Sequence, residues 1–258
     1  MKALFLALLS AMFLFCQCDN APSDQIPSPG EEQAQTEDTL RLATYNVGVF
    51  SKSGTNTTNM VAAMAKELGV SALSMNELDS CNTRHNVFQI KLFAEAMGGW
   101  DYTFAQALNY KGDGSEQRAL AVCEFRDFVF CSTHLDHTSK NAQKAQAATI
   151  TDWIRKTYGN TDKPVILCGD FNALPNSETI AYMKQEWTIL SPLDFTYPAK
   201  SPTKCIDYIM VYRNASSRVE LHAAKVPTEF KSGDVKTASD HLPVYVDVTI
   251  KAPSTSQN

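Results

Sequence analysis

The chain has 258 residues, is 44% hydrophobic and 20% charged, and carries a formal net charge of −5. Such a composition excludes a disordered or fibrous chain and fits an ordinary soluble globular protein of one large domain or two small ones. Nothing in it is basic enough for a dedicated nucleic-acid binder.

At the N-terminus, Lys2 precedes an apolar run from Ala3 to Leu9 that resumes from Ala11 to Phe15. The run has the length of a signal-peptide core and is too short to span a bilayer, so residues 1–18 read as an export signal. No A-x-A-like cleavage site follows it. Cys16 and Cys18 close the run instead, and a cysteine there resembles the acceptor of a bacterial lipoprotein, although the residues before each match the usual lipobox poorly. Cys18 is preferred over Cys16, because Asp19-Asn20 opens a polar tail directly after it. The expectation is an exported protein held on the membrane by a lipid anchor; the alternative is a signal peptide cut at an atypical site, leaving the protein periplasmic or secreted.

Residues 19–38 read as an acidic flexible tether with Pro22, Pro27 and Pro29, six carboxylates and no basic residue. Residues 39–250 hold 21 Lys and Arg against 22 Asp and Glu, so this single domain is near neutral at −1 and the acidic balance belongs mostly to the tether. Residues 251–258 form a polar tail. Of seven cysteines, five lie in the domain, and no C-x-x-C pair suggests structural zinc. Cys123, Cys131 and Cys168 sit in apolar β-like runs, where a free thiol behaves as a small hydrophobe, and no disulfide is expected.

Within the domain, Leu40 to Val47 predicts a strand, and Val61, Met64, Ala65 and Leu68 predict a helix over Met60–Leu68 that stops at Gly69. Val70 to Met75 reads as a buried strand. Val87 to Met97 reads as a second amphipathic helix ending at Gly98-Gly99. Ala119–Phe125 and Phe128–Thr133 predict a hairpin across Arg126-Asp127. A long helix over Asn141–Thr157, a short apolar strand Val165–Cys168 and a helix Ser177–Met183 follow. Strands are then expected at Ile206–Tyr212, Val219–Ala224 and Leu242–Ile250. Adjacent hairpins alternating with crossover helices imply mixed sheets rather than a doubly wound parallel one.

Five short polar motifs stand at the ends of apolar runs: Thr44-Tyr45-Asn46-Val47, Asn76-Glu77-Leu78-Asp79, Thr133-His134-Leu135-Asp136-His137, Gly169-Asp170-Phe171-Asn172 and Ser239-Asp240-His241. Carboxylates, amides and imidazoles at strand ends suit a hard divalent cation and a phosphate ester together. Glu77 follows an apolar strand and can hold Mg²⁺ at the sheet's end, although a lone glutamate there is more often a cap or a surface charge. Gly169 permits an unusual turn after its strand, with Asp170 and Asn172 expected to point the same way in an extended segment. Asp170 can take a proton from water, and Asn172 can orient that water or a phosphate oxygen. Asp207 is an ionisable residue in the apolar run Ile206–Tyr212, where burial is costly without a partner. His241 is a candidate phosphate binder and general acid/base, since histidine titrates near neutrality.

In order and content these motifs, above all G-D-F-N-A-x-P-x-S from Gly169 to Ser177, resemble the endonuclease/exonuclease/phosphatase superfamily from about Leu40 to Ile250. The resemblance implies an α/β (α+β) fold, a four-layer α-β-β-α sandwich with two mixed β-sheets; separately, a monomer is expected. It implies Glu77 as principal metal ligand, with Asp240 and Asn46 beside it, for Mg²⁺ or Mn²⁺. Asn76 stands where the family has glutamine. Asp170, Asn172, His241, His134 and Asp207 take the catalytic roles by this resemblance, with Asp207 the partner of His241. Arg118, His134, Asn172 and His241 would contact substrate phosphate. Asp136 and His137 are assigned no role, and for His137 a hydrogen-bonded loop position is at least as good a reading.

One departure stands out. Many members carry a further strand before the arginine-led hairpin, whereas here Gln106 to Tyr110 runs directly into Lys111-Gly112-Asp113-Gly114. His134 could thereby lose a customary partner, for which Tyr110 is the available substitute. The expected activity is metal-dependent hydrolysis of a phosphate ester, with a phosphodiester, including nucleic acid, as the leading substrate. The alternatives are a phosphomonoesterase or lipid or inositol phosphate phosphatase, and a binding module that has lost turnover.

Overall fold

The computed structural model describes residues 39–105 and 118–253. The signal and tether segments, the end of the polar tail, and the stretch from Gln106 to Gly114 with Tyr110 lie outside the described residues.

Two mixed sheets dominate. The first has the order β2-β1-β9-β8, built from β1 (Leu40–Asn46), β2 (Ala72–Asn76), β8 (Val219–Lys225) and β9 (Val244–Ile250). In it β1 and β2 are parallel, while β9 runs antiparallel to both β1 and β8. The second has the order β3-β4-β5-β7-β6, from β3 (Leu120–Glu124), β4 (Val129–His134), β5 (Val165–Asp170), β6 (Trp187–Ile189) and β7 (Asp207–Tyr212). Here only β4 and β5 are parallel. Among the described residues, five α-helices accompany the sheets: α1 (Thr58–Leu68), α2 (Gln89–Ala96), α3 (Lys140–Tyr158), α4 (Glu178–Met183) and the single turn α5 (Val235–Ala238). The expected elements are all present with shifted ends. Sequence reading missed β6, whose three residues are too few for a periodic signal, and the single turn α5.

Three apolar clusters mark the interfaces between layers. Ala43, Tyr45, Val61, Met64 and Phe93 join the first sheet to α1 and α2. Val129, Leu167, Tyr208, Ile150, Ile154 and Ile180 join the second sheet to α3 and α4. Leu42, Ile166, Ile209, Val244, Val246 and Val248 fill the space between the sheets. This is the α-β-β-α sandwich that the resemblance implied.

Strand periodicity then positions the polar residues. Successive side chains alternate between the two faces of a strand. Leu42 on β1, Ala72 on β2, Phe130 on β4, Ile166 and Cys168 on β5 and Ile209 and Val211 on β7 all face the gap between sheets. Residues an even number of steps away face it too: Asn46, Asn76, His134, Asp170 and Asp207. Pairing aligns these ends, with Asn46 opposite Asn76, His134 opposite Asp170, and Asp170 opposite Asp207. The inter-sheet space is therefore apolar at one end and polar at the other. Ser74 and Ser132, hydroxyl to hydroxyl at 2.6 Å, mark the changeover.

Among the described residues no helix is long and apolar enough to cross a membrane. Cys81, Cys123, Cys131, Cys168 and Cys205 are free thiols.

Candidate active site

Asp170 stands at the centre of the polar rim and is almost fully buried. Its Oδ1 accepts the Asn172 backbone N–H at 2.8 Å, and its Oδ2 accepts the Asn46 amide at 3.1 Å. His134 Nε2 and His241 Nε2 flank the same Oδ2 at 3.4 and 3.6 Å. Burial, and secondarily the charge of Asp207, push the Asp170 carboxyl up to about 7. A base titrating near neutrality is well matched to taking a proton from water.

Asn46 ties this carboxylate to a second one. The same Nδ2 that reaches Asp170 also donates to Glu77 Oε1 at 3.0 Å, while Asn46 Oδ1 accepts the Gly48 N–H at 3.1 Å. In this orientation Asn46 holds two carboxylates in register rather than offering an oxygen to a cation. Asn76 does comparable work between the sheets. It donates to the Thr133 carbonyl at 3.0 Å and accepts the Asp170 backbone N–H at 3.1 Å. Asn76 thus links the end of β2 to the ends of β4 and β5.

Glu77 follows β2 with a left-handed φ of 57°. Its Oε2 lies 3.3 Å from the Lys52 ammonium, which lies equally 3.3 Å from Asp240 Oδ2. Burial works to lower the Lys52 pKa, but the charges of Glu77 and Asp240 outweigh it and hold it raised. A cation therefore already sits between the two carboxylates named as metal ligands. An all-oxygen pair that accommodates one positive charge, open in part to water, fits a hard divalent ion that keeps several waters. Asp170, Asp207 and His241 offer a second grouping, with ligand atoms within 4.8 Å of one another. There, however, His241 Nδ1 is already engaged by Asp207 Oδ2 at 3.0 Å.

That His241–Asp207 pair is buried and supported. Thr196 Oγ1 donates to Asp207 Oδ2 at 2.5 Å, and the Tyr197 ring lies 4.8 Å from the imidazole. Burial disfavours the imidazolium, yet Asp207, followed by Asp170 and Asp240, outweighs it and raises the His241 pKa to about 9. His134 goes the other way: burial first, then the charge of Arg118, hold it well below its ordinary value. The two imidazoles beside Asp170 are thus one charged and one neutral at neutral pH.

Two sequence expectations need correction. Gly169 is not in a turn after the strand; β5 continues through Asp170, and Gly169 pairs with Thr133 and Tyr208 inside the sheet. Asn172 is not extended either. It adopts a φ of 50°, and its Nδ2 donates to the Leu135 carbonyl at 3.0 Å. It thereby fixes the loop after β4 against the loop after β5, half-exposed at the site's edge. Arg118 approaches from the start of the hairpin, with Nη2 3.4 Å from His137 Nδ1. Asp136 braces the turn leading into α3, its Oδ1 accepting the Thr138 and Ser139 N–H groups at 2.8 and 2.7 Å, while Ser139 itself caps the helix. Sequence reading missed Lys52 and Thr196, and quoted Ser239 in its motif without giving it a role; the Ser239 hydroxyl donates to the Asn46 carbonyl at 2.6 Å. Lysine and threonine in loops carry no motif signal, although Ser239 stood directly before Asp240.

Comparison with known proteins agrees with this geometry. The endonuclease/exonuclease/phosphatase family model matches residues 43–241. No curated protein matches the chain. Solved structures of similar fold include an endonuclease/exonuclease/phosphatase family protein from Bacteroides thetaiotaomicron, at 20% identity and a TM-score of 0.65, covering 83% of this chain and 99% of that one. A mannosyl-6-phosphatase from Bacteroides thetaiotaomicron VPI-5482 is 20% identical with a TM-score of 0.65, over 81% of this chain and 99% of its own. A humanized D. rerio TDP2 is 14% identical with a TM-score of 0.59, over 82% and 99% respectively. The match over most of the domain, with its motif residues gathered at one rim, places the chain in the endonuclease/exonuclease/phosphatase family, whose members are divalent-metal-dependent hydrolases of phosphate esters.

Proposed function

We propose that this protein is an exported Mg²⁺- or Mn²⁺-dependent hydrolase of phosphate esters, acting first on phosphodiesters. The observation that carries the reading is the single Asn46 amide held between Glu77 and Asp170, which puts a metal-type carboxylate and a buried base within reach of one phosphate. Glu77 and Asp240 would hold the cation. The bound ion supplies Lewis-acid stabilisation of charge on the phosphoryl oxygens and the leaving group. Asp170 takes the proton of the attacking water. His241, kept charged by Asp207, grips a non-bridging oxygen, and neutral His134 donates to another. Arg118 and Asn172 stand at the edge for a further phosphate contact.

The complete set of Glu77, Asp170, Asp207, Asp240 and His241 argues against a pure binding module, which needs neither a buried base nor a charged histidine pair. The fold itself leaves the substrate open, since it is shared with a mannosyl-6-phosphatase and with TDP2. With saturating MnCl₂, bis-p-nitrophenyl phosphate should be hydrolysed faster than p-nitrophenyl phosphate or mannose 6-phosphate, and excess EDTA should remove the activity. Faster monoester release would overturn the diesterase reading; EDTA-resistant turnover would overturn metal dependence. Inositol phosphates, sphingomyelin and plasmid DNA complete the panel.

The apolar N-terminal run ending at Cys16 and Cys18 supports export and a lipid anchor. Changing both cysteines to serine should move the protein from the membrane pellet to the soluble fraction. Unchanged sedimentation of the double variant would exclude the anchor.

A further inference from the structure

We infer that Lys52 is a built-in placeholder for the divalent ion: it holds Glu77 and Asp240 together in the metal-free protein and is displaced when metal enters. The inference rests on the metal-dependent reading above. Its basis is the route by which the lysine arrives. After β1 the chain makes a tight turn in which Gly48, Val49 and Phe50 have φ values of 52°, 52° and 54°. Successive left-handed residues are uncommon, and a β-branched one is an outlier that surrounding structure must enforce.

Here the enforcement is visible. The Val49 N–H donates to the Glu77 carbonyl at 2.8 Å, Gln89 Nε2 donates to the Val49 carbonyl at 2.8 Å, and Phe50 is buried against Phe93. The turn is thus pinned to the backbone of the metal-type glutamate itself. It returns the chain so that the Lys52 stem lies across Gly48. A Cβ at Gly48 would come within 2.3 Å of Lys52 Cγ, 2.9 Å of Lys52 Cε and 3.2 Å of Asp240 Oδ1. The absence of a side chain at Gly48 is what opens the path between the lysine and the two carboxylates.

Lys52 and both its partners remain partly open to water, with side-chain exposures of 40%, 29% and 32%. Ion pairs this exposed are individually weak, so an ion of twice the charge that binds oxygen at shorter range can replace the ammonium. The long flexible stem lets Lys52 leave without moving the strands. Until then it cancels the repulsion between Glu77 and Asp240 and keeps them preorganised.

The test uses the purified protein, its Lys52→Met and Lys52→Arg variants, and MnCl₂ as probe. By calorimetry, Lys52→Met should bind Mn²⁺ about tenfold more tightly than wild type, the scale set by two partly exposed ion pairs given up together. Lys52→Arg should stay within about twofold of wild type. Without metal, Lys52→Met should melt below wild type, and saturating Mn²⁺ should close that gap. Acylation of lysines by an N-hydroxysuccinimide ester, mapped by mass spectrometry, should increase at Lys52 when Mn²⁺ is added and not at Lys91, Lys144 or Lys251. If wild type binds Mn²⁺ but Lys52→Met binds it no more tightly, or Lys52 labelling stays flat, the placeholder role fails while the metal site stands. If neither protein binds Mn²⁺, both the placeholder and the metal-dependent reading fail.

Discussion

Replacing Asp170 by asparagine is expected to abolish hydrolysis and leave the protein folded. The loss should be at least the roughly 10²–10⁴-fold that a positioned proton acceptor contributes. It should approach the upper end, because Asp170 is also the group around which the site is arranged: Asn46, the Asn172 N–H and both imidazoles converge on it. An amide of the same shape keeps one good acceptor but turns an NH₂ toward a neighbour that is itself a donor. That mismatch costs about 1–3 kcal/mol. Removing a buried charge offsets part of it, since burial already pushes this carboxyl up to about 7. The net change is small against a domain stability of roughly 5–15 kcal/mol. Initial rates on bis-p-nitrophenyl phosphate with Mn²⁺, beside a thermal melt, make the check. Turnover within about tenfold of wild type in a folded Asp170→Asn protein would remove Asp170 as the base.

Gly169→Ala is expected to produce the largest loss of stability of any alanine replacement at the described glycines. Gly169 has a φ of 139°, a region that L side chains rarely adopt. A Cβ there would stand 1.8 Å from the Thr133 carbonyl oxygen and 2.9 Å from its carbon, both backbone atoms of the paired strand. A flexible side chain could swing away, but the β4 ladder cannot, so relief requires parting β4 from β5. Backbone strain of about 1–3 kcal/mol therefore adds to broken pairing, for a total beyond about 4 kcal/mol. Gly54 is the control: its φ is 83°, but a Cβ would meet nothing within 4 Å. Alanine there should cost only about 1 kcal/mol. Urea unfolding midpoints of the two variants decide the matter. Equal midpoints would show that the contact with Thr133 does not constrain the strands.

These two expectations show where sequence reasoning was sufficient and where it was not. The proximity of Asp170 to a histidine pair and to Glu77 was legible, because the G-D-F-N run, the S-D-H run and the N-E pair each carry a recognisable order. The reason for Gly169 was not. A glycine before an aspartate at the end of an apolar run looks like a turn signal, and only strand pairing reveals that the next strand's carbonyl fills the space of its missing side chain. Asn172 was misjudged for a related reason. Its role is set by the Leu135 carbonyl, 37 positions away in the chain. Asn46 was recognised as a site residue, but its hydrogen bonds to two carboxylates depend on which neighbours β2 and β5 deliver.

By itself the sequence determined the mixed character of the sheets and the order of the polar motifs, and through those motifs a family resemblance that implied the layered fold. Period-2 and period-3.6 patterns and short motifs are local properties, readable within a window of a few turns. Only the tertiary structure decided which strand ends meet, which imidazole is charged and that Lys52 occupies the space between Glu77 and Asp240. Those outcomes depend on charges and hydrogen-bonding groups brought together from distant parts of the chain, and electrostatic effects inside a protein follow distance and burial rather than sequence separation.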